Sequence, residues 1–185
     1  MKYKNPKVDS SYGENNLGKD LYEAVIKYKP KKIIEFGILN GYSTISMAMA
    51  LDELKSKSKI KAYDLFEKYE FKNTKKEEVQ KNIDQYGLTK YVVLKSKDFN
   101  TWLKKPEKFD LLHLDISNKG DTVEKVYKAT KKQIDSGSII IFEGGSKKRD
   151  SVAWMKKYNC KKINDSQVPF KILNSKFPSI SIIKK

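Results

Sequence analysis

The chain has 185 residues, 38% of them hydrophobic, and a formal net charge of +16. This length suits one domain, residues 1–185, with residues 1–16 as an N-terminal arm or lid, and it excludes two ordinary domains. The lack of an apolar run of about 20 residues excludes a membrane span, while a polar N-terminus and a single cysteine favour a disulfide-free cytoplasmic protein.

Strand-like and helical patterns alternate along the whole chain. The first helix is expected to be capped by Asn15 or Asn16, and the third by Thr74 and Glu77, which have the spacing of a capping box. A helix is also predicted for residues 149–158. The predicted strands are residues 31–36, 59–64, 91–94, 109–115 and 138–142, followed by 168–173 and 180–183.

This alternation predicts a doubly wound α/β fold. Right-handed crossovers between successive strands give a mostly parallel, Rossmann-like sheet, here of seven strands with a C-terminal antiparallel hairpin. Such sheets bind their ligands at the carboxyl ends of the strands. The residues that follow each predicted strand are therefore the candidates for a functional site.

The first of these segments, residues 35–43, reads Glu-Phe-Gly-Ile-Leu-Asn-Gly-Tyr-Ser. The strand ends near Glu35, after which Gly37 and Gly41 allow the backbone to turn sharply. A helix begins near Tyr42 and Ser43, and the free N–H groups of its first turn suit a carboxylate. Glu35 suits an ammonium group, so the segment predicts a site for an amino-acid moiety. A dinucleotide is disfavoured because its G-x-G-x-x-G fingerprint needs a third glycine.

The segment resembles the E/D-x-G-x-x-x-G motif of class I S-adenosylmethionine-dependent methyltransferases, and later segments resemble that family in the same order from about residue 17 to residue 183. The resemblance implies S-adenosylmethionine as cofactor, with an acid after the second strand on the ribose and apolar residues beside the adenine. The cofactor-binding residues that it implies are Glu35, Gly37, Gly41, Tyr42, Ser43, Asp64, Leu65, Phe66, Asp98 and Asp115. The start of the first crossover helix and the Leu-His-Leu-Asp run at residues 112–115 look most like small-molecule O-methyltransferases.

Two residues of the fourth predicted strand are candidates for the chemistry. Methyl transfer from a sulfonium needs alignment and exclusion of water, and a hydroxyl acceptor also benefits from a general base. Asp115 is expected beside the transferred methyl, or alternatively it holds the cofactor's ammonium or its own loop. His113, the only histidine, is either a core residue or a proton acceptor.

The segments after the fourth and fifth strands are expected to bind the acceptor through Asn118, Glu143 and Arg149. Arg149 is the chain's only arginine and suits an anionic acceptor group. Catechol-type relatives hold a divalent metal with an Asp after strand four and an Asp-Asn pair after strand five. Here Asp115 matches, Glu143 replaces the second ligand, and Gly144 leaves the third missing. Two carboxylates with waters are an option for Mg²⁺, but this departure argues against a metal and leaves the metal site unknown.

The leading interpretation is an enzyme that methylates a small-molecule acceptor at a hydroxyl or carboxyl oxygen. The +16 charge motivates an RNA methyltransferase as the alternative, but only one of the 39 lysines and arginines is an arginine and the lysines are spread along the chain, which disfavours nucleic acid. A third alternative is a methyltransferase-like protein that binds the cofactor or a partner without turnover. No membrane partner is expected, and a homo-oligomer is left open.

Overall fold

The computed structural model describes residues 2–71, 73–116 and 118–185. The helices are α1 (Gly18–Tyr28), α2 (Tyr42–Glu53), α3 (Lys76–Gln85), α4 (Phe99–Lys104), α5 (Gly120–Asp135) and α6 (Ala153–Lys157). The strands are β1 (Lys32–Phe36), β2 (Lys59–Asp64), β3 (Val92–Ser96), β4 (Leu111–Leu114), β5 (Ile139–Glu143), β6 (Lys171–Asn174) and β7 (Ile180–Ile183). In the described part of the chain, no helix combines the length and apolar character needed to cross a bilayer.

The strands form one seven-stranded sheet in the order β3-β2-β1-β4-β5-β7-β6. Strands β1 to β5 pair in parallel, whereas β7 runs antiparallel to both β5 and β6. The predicted fold is therefore confirmed. The order reverses between β1 and β4, which makes the carboxyl ends of these two strands the point where a ligand crevice is expected.

Two apolar layers cover the two faces of the sheet. Neighbouring strand residues such as Ile33 and Ile34 belong to different layers because successive side chains point to opposite faces. Helices α1, α2 and α3 cover one face, and α4 and α5 cover the other. Every residue of α2 from Tyr42 to Leu51 is buried, and α1 packs directly against α2.

The predicted helix caps are wrong. Leu17 occupies the N-cap of α1 without a side-chain bond, and the amide of Asn15 instead donates to the carbonyl of Phe177 at 2.7 Å. Helix α3 also begins without a side-chain cap, because the Thr74 hydroxyl donates to the side chain of Asn40 at 2.8 Å. The predicted helix over residues 149–158 is a 3₁₀ turn followed by the short α6. Long-range contacts thus replace the local caps.

Candidate active site

A cavity of about 720 Å³ opens at the carboxyl ends of β1 to β5. Its volume is in the range of ligand pockets, roughly 300–1,000 Å³, and it lies at the switch point of the sheet. A more open depression of about 910 Å³ surrounds Lys57, Lys59 and Lys90. That depression lies at the start of β2, at the opposite end of the sheet, so we assign the candidate site to the first cavity.

The cavity brings together about half of the predicted site residues. Those that line it are Gly37, Asp64, Leu65, Asp98, Asp115, Glu143 and Arg149. Those that do not line it are Glu35, Gly41, Tyr42, Ser43, Phe66, His113 and Asn118. The first set follows the ends of β1, β2, β3, β4 and β5, as expected from the parallel sheet.

Gly37 allows the ends of β1 and β4 to meet. Its φ is +84°, and a Cβ at this position would lie 1.8 Å from the carbonyl oxygen of Asp115. The backbone N–H of Asp115 donates to the carbonyl of Phe36 at 2.8 Å, which continues the pairing of the two strands into the site. Only glycine leaves room for this approach, so the contact fixes the position of Asp115 in the cavity wall.

Two carboxylates at the ends of β2 and β3 are held by backbone donors. One oxygen of Asp64 accepts from the N–H of Ile38 at 2.7 Å, and the other accepts from the N–H of Phe66 at 2.9 Å. The first oxygen also accepts from the N–H of Leu39 at 3.4 Å, so the oxygen bonded to Phe66 is the one that keeps a lone pair for a ligand hydroxyl. Asp98 caps α4 by accepting from the N–H of Thr101 at 2.7 Å, and this bond lowers the pKa of Asp98. Both groups therefore present oriented carboxylates to the cavity.

Phe99, together with Tyr63 and Tyr69 but not Phe66, supplies aromatic surface to this half of the cavity. Phe66 has a left-handed φ of +52° and is only 2% exposed, because its ring packs into the apolar layer beneath α3. The expectation that it flanks an adenine is corrected accordingly. Phe99 lines the cavity together with Leu65 and meets the ring of Phe36 edge-on at 5.3 Å. Its position directly after Asp98 is the sequence feature that could have predicted its place in the cavity.

Glu35 faces the layer beneath α2 and not the cavity. The hydroxyls of Ser43 and Thr44 both donate to its carboxylate at 2.5 Å. His113, its register partner on β4, lies with Nδ1 3.0 Å from Oε1 of Glu35. All four residues are buried. Glu35, Ser43 and His113 therefore do not line the cavity. The structure gives no support to the predicted contacts of Glu35 and Ser43 with the cofactor or of His113 with the acceptor.

Gly41 and Tyr42 do not line the cavity either. A Cβ on Gly41 would face Val79 of α3 at 3.4 Å. The hydroxyl of Tyr42 donates to the side chain of Asn5 at 2.5 Å and so ties α2 to the N-terminal arm. The start of α2 therefore shapes the cavity through its backbone turn, and its side chains serve the packing of the arm.

Asn118, predicted to bind the acceptor, ties two strands together instead. Its amide donates to the carbonyl of Leu114 at 3.0 Å and to the carbonyl of Glu143 at 3.1 Å. The side chain is fully buried. It thus joins the ends of β4 and β5 below the cavity, because a buried amide satisfies the last carbonyls of both strands.

An ion pair closes the cavity at the end of β5. Nε of Arg149 donates to Oε1 of Glu143 at 2.5 Å, and the two side chains are only 7% and 12% exposed. The guanidinium carbon lies 5.2 Å from the ring centre of Trp154, and Nη1 contacts the sulfur of Met155 at 3.4 Å. Burial and the neighbouring Glu143 raise the pKa of Asp115 well above its usual value. Asp115 therefore holds its proton to higher pH than an exposed aspartate does.

The site does not fit a divalent metal. The guanidinium of Arg149 already occupies one oxygen of Glu143. A side chain in place of Gly144 would bring its Cβ within 2.5 Å of Ile163, so a third ligand has no room there. Within the three ranges that the structure describes, no group of three or more His, Cys, Asp or Glu residues is arranged around a common point. We derive no step through a metal.

Several cavity residues were missed from the sequence: Ser11, Lys97, Phe99, Lys119, Asp121, Lys125 and Trp154. Among the described residues, Asp121 has a buried Oδ1 that makes no hydrogen bond. A buried acceptor of this kind is costly unless a ligand donor satisfies it. Its place in the first turn of α5, directly after β4, was the only sequence signal, and helix capping explains that signal equally well.

Solved structures of methyltransferases share this architecture at low sequence identity. They include an O-methyltransferase from Bacillus cereus in complex with S-adenosylhomocysteine (20% identity, TM-score 0.63, covering 98% of this chain and 84% of that chain). A methyltransferase from Podospora anserina with S-adenosylhomocysteine bound has 16% identity and a TM-score of 0.63, covering 95% and 79%. The O-methyltransferase TomG from Streptomyces achromogenes, in complex with S-adenosylmethionine, has 14% identity and a TM-score of 0.61, covering 92% and 80%.

No curated protein sequence gives a significant match. A family model described as a methyltransferase domain matches residues 34–143, from β1 to the end of β5. The match includes the glycine turn after β1 and the ends of all five parallel strands that surround the cavity. The chain therefore belongs to the methyltransferase domain family, with the fold of the class I S-adenosylmethionine-dependent O-methyltransferases.

Proposed function

We propose that the protein binds S-adenosylmethionine in the cavity and methylates an oxygen of a small-molecule acceptor. The observation that carries the proposal is the set of carboxylates Asp64, Asp98 and Asp115, which line one cavity at the ends of β2, β3 and β4. A single cysteine supports a cytoplasmic location. The relatives with this cofactor or its product bound share the fold, which supports the cofactor but leaves the acceptor to be identified.

The half of the cavity at β2 and β3 suits the nucleoside. Asp64 is already oriented by three backbone N–H groups, so it accepts ribose hydroxyls without further ordering. Leu65 and Phe99 offer apolar surface for the adenine, and Asp98 offers an acceptor beside them. Lys97 is held away from the ligand by an ion pair with Glu107 at 2.7 Å. This half therefore presents acceptors and apolar surface, as a neutral purine riboside requires.

The half at β4 and β5 suits the acceptor. When bound, the cofactor supplies a methyl group on a sulfonium, which is a good leaving group. Asp115 takes the proton that an acceptor hydroxyl loses, and the free oxygen of Asp121 takes a second hydrogen bond from the acceptor. Arg149 and Lys119 favour an anionic group. Trp154 packs over this end and excludes water.

Calorimetric titration with S-adenosylmethionine, S-adenosylhomocysteine and NADH tests the cofactor. We expect micromolar binding of the first two and none of NADH. Asp64→Asn should weaken binding roughly 10- to 100-fold, the loss of one or two hydrogen bonds to a charged group. Asp110→Asn is a matched control, because Asp110 also accepts from two backbone N–H groups, both at 2.8 Å, but at the amino-terminal end of the sheet. Equal affinities of the two variants, or no binding by the wild type, would refute the proposal.

The RNA alternative has less support. Each lysine that the structure describes is at least partly exposed. Lysines lie on α1 and α3 on one side of the sheet and on α5 on the other. Positive charge therefore surrounds the molecule instead of forming one basic face at the cavity, as a nucleic-acid site would require. A solvated lysine-rich surface explains the charge.

A further inference from the structure

The chain's only histidine belongs to a buried hydrogen-bonded chain that the methylation site does not itself explain. His113 is fully buried on the face of the sheet covered by α1 and α2. Its Nδ1 lies 3.0 Å from Glu35, and its Nε2 lies 3.5 Å from the hydroxyl of Tyr12 in the N-terminal arm. Ionisable groups in an apolar layer are costly unless each has a partner. Here each group has a partner, and the series of hydrogen bonds leads toward the cavity.

Glu35 fixes which nitrogen of His113 carries the proton. Its carboxylate accepts from the hydroxyls of Ser43 and Thr44, and an ionised carboxylate can only accept. Nδ1 of His113 must therefore be the protonated nitrogen in order to bond with Glu35. In the neutral ring this leaves Nε2 as an acceptor, directed at Tyr12.

Tyr12 connects this pair to the cavity. Its side chain also interacts with the carboxyl of Asp115, which lines the cavity. Burial, with the carboxylates of Asp115, Glu143 and Glu35, raises the pKa of Tyr12 well above its usual value, so the hydroxyl keeps its proton. That single proton cannot be donated to Asp115 and to His113 at the same time. Its direction therefore depends on whether Asp115 is a competing acceptor.

We propose that Tyr12 is a positioning residue, whose hydroxyl couples the carboxyl of Asp115 to the buried pair formed by His113 and Glu35. With Asp115 ionised, the hydroxyl donates to it and holds the carboxylate toward the acceptor. Without an ionised carboxylate there, the hydroxyl turns to Nε2 of His113. The role of Asp115 in methyl transfer rests on the proposed function, whereas the coupling itself needs no ligand.

Because His113 is the only histidine, ¹⁵N-histidine labelling gives one pair of ring-nitrogen signals for the whole protein. We expect the Nδ1–H tautomer in the wild type. At a pH high enough to ionise Asp115 in the wild type, Asp115→Leu removes the competing acceptor with a side chain of similar branching, so the Nε2 signal should shift upfield as the hydroxyl turns toward it. Adding Tyr12→Phe should abolish that response. Adding Tyr3→Phe, which removes another hydroxyl of the arm, should leave the response intact.

The Nε2–H tautomer in the wild type would overturn the proposal without any variant. So would an unchanged Nε2 signal in Asp115→Leu, or a response that survives Tyr12→Phe. If Asp115→Leu does not fold, Asp115→Asn, which replaces the ionised carboxylate with a neutral amide, takes its place with the same two added substitutions. None of these measurements uses S-adenosylmethionine, so a failure to bind the cofactor would refute the proposed function and leave the coupling intact.

Discussion

Replacement of Gly37 by alanine tests whether the contact between β1 and β4 builds the site. The matched change is Gly87→Ala, at the end of α3. Both glycines have positive φ, +84° and +66°, so both substitutions place alanine in the left-handed region. A Cβ on Gly87 would meet no atom within 4 Å, whereas a Cβ on Gly37 would lie 1.8 Å from the carbonyl oxygen of Asp115. The difference between the two variants isolates the close approach.

The magnitude follows from these distances. Gly87→Ala bears only the left-handed strain, about 1–2 kcal/mol. Gly37→Ala bears the same strain, and in addition its Cβ must retreat to a normal carbon–oxygen contact of about 3.3 Å. The strand ends would have to separate by roughly 1.5 Å, which breaks the 2.8 Å bond from Asp115 to Phe36 and leaves a buried donor and acceptor unpaired at about 1–3 kcal/mol. We expect a total loss of about 2–5 kcal/mol for Gly37→Ala.

Urea unfolding, followed by circular dichroism, measures both losses by linear extrapolation. The free energy of unfolding should fall about 1–3 kcal/mol further in Gly37→Ala than in Gly87→Ala, with unchanged m-values. Recovery of folded Gly87→Ala but not of Gly37→Ala would point the same way. Equal losses in the two variants would refute the reasoning, since Gly37 would then serve backbone conformation alone.

Three further predictions concern charged groups. Although burial opposes it, hydrogen bonds from two lysines and a tyrosine lower the pKa of Glu107 from 4.5 to about 2, so its stabilisation is present above pH 4.5 and lost toward pH 2. Glu107→Gln should lower the free energy of unfolding by about 1–2 kcal/mol at pH 7 and by less at pH 3; equal losses in urea titrations would contradict this. The pKa of Asp115 is raised, so the folded state retains a proton that the unfolded chain releases above about pH 4. The free energy of unfolding therefore falls as the pH rises. Asp115→Asn removes this effect and should raise Tm more at pH 8 than at pH 4. A pH-independent gain would count against a raised pKa. Arg149→Met leaves Glu143 buried and unpaired and should cost about 3–5 kcal/mol, most of it recovered by adding Glu143→Gln; strictly additive losses would show that the ion pair is not coupled.

The sheet and half of the site follow from local sequence features. Strict alternation of elements determines a parallel sheet, and a parallel sheet brings the residues after each strand to one edge. Asp64, Asp98 and Asp115 could be predicted for that reason, since each lies at the carboxyl end of a strand or within two residues of it. Gly37 could be predicted because a strand that turns into a helix within a few residues needs a residue free of Cβ constraints.

The remaining residues depend on contacts that the local sequence does not encode. Phe66 turns into the core because its backbone adopts a left-handed conformation that is uncommon for a phenylalanine. Glu35 meets His113 only through the register of β1 and β4. Tyr12 reaches the site only because the N-terminal arm docks on α2. The last two contacts join residues far apart in sequence, and the first depends on a backbone conformation, so periodicity and spacing could not reveal them.

The position of β7 has a consequence for the order of folding. It follows β6 in the sequence, yet it lies between β5 and β6 in the sheet. The serines at its start hold the loop after β5: Gly144 donates to the carbonyl of Ser179 at 2.9 Å, and Ser181 donates to the carbonyl of Gly144 at 2.7 Å. Chains are made and begin to fold from the N-terminus. The nucleoside half of the cavity can therefore form early, whereas the acceptor half is completed only when β7 has paired with β5.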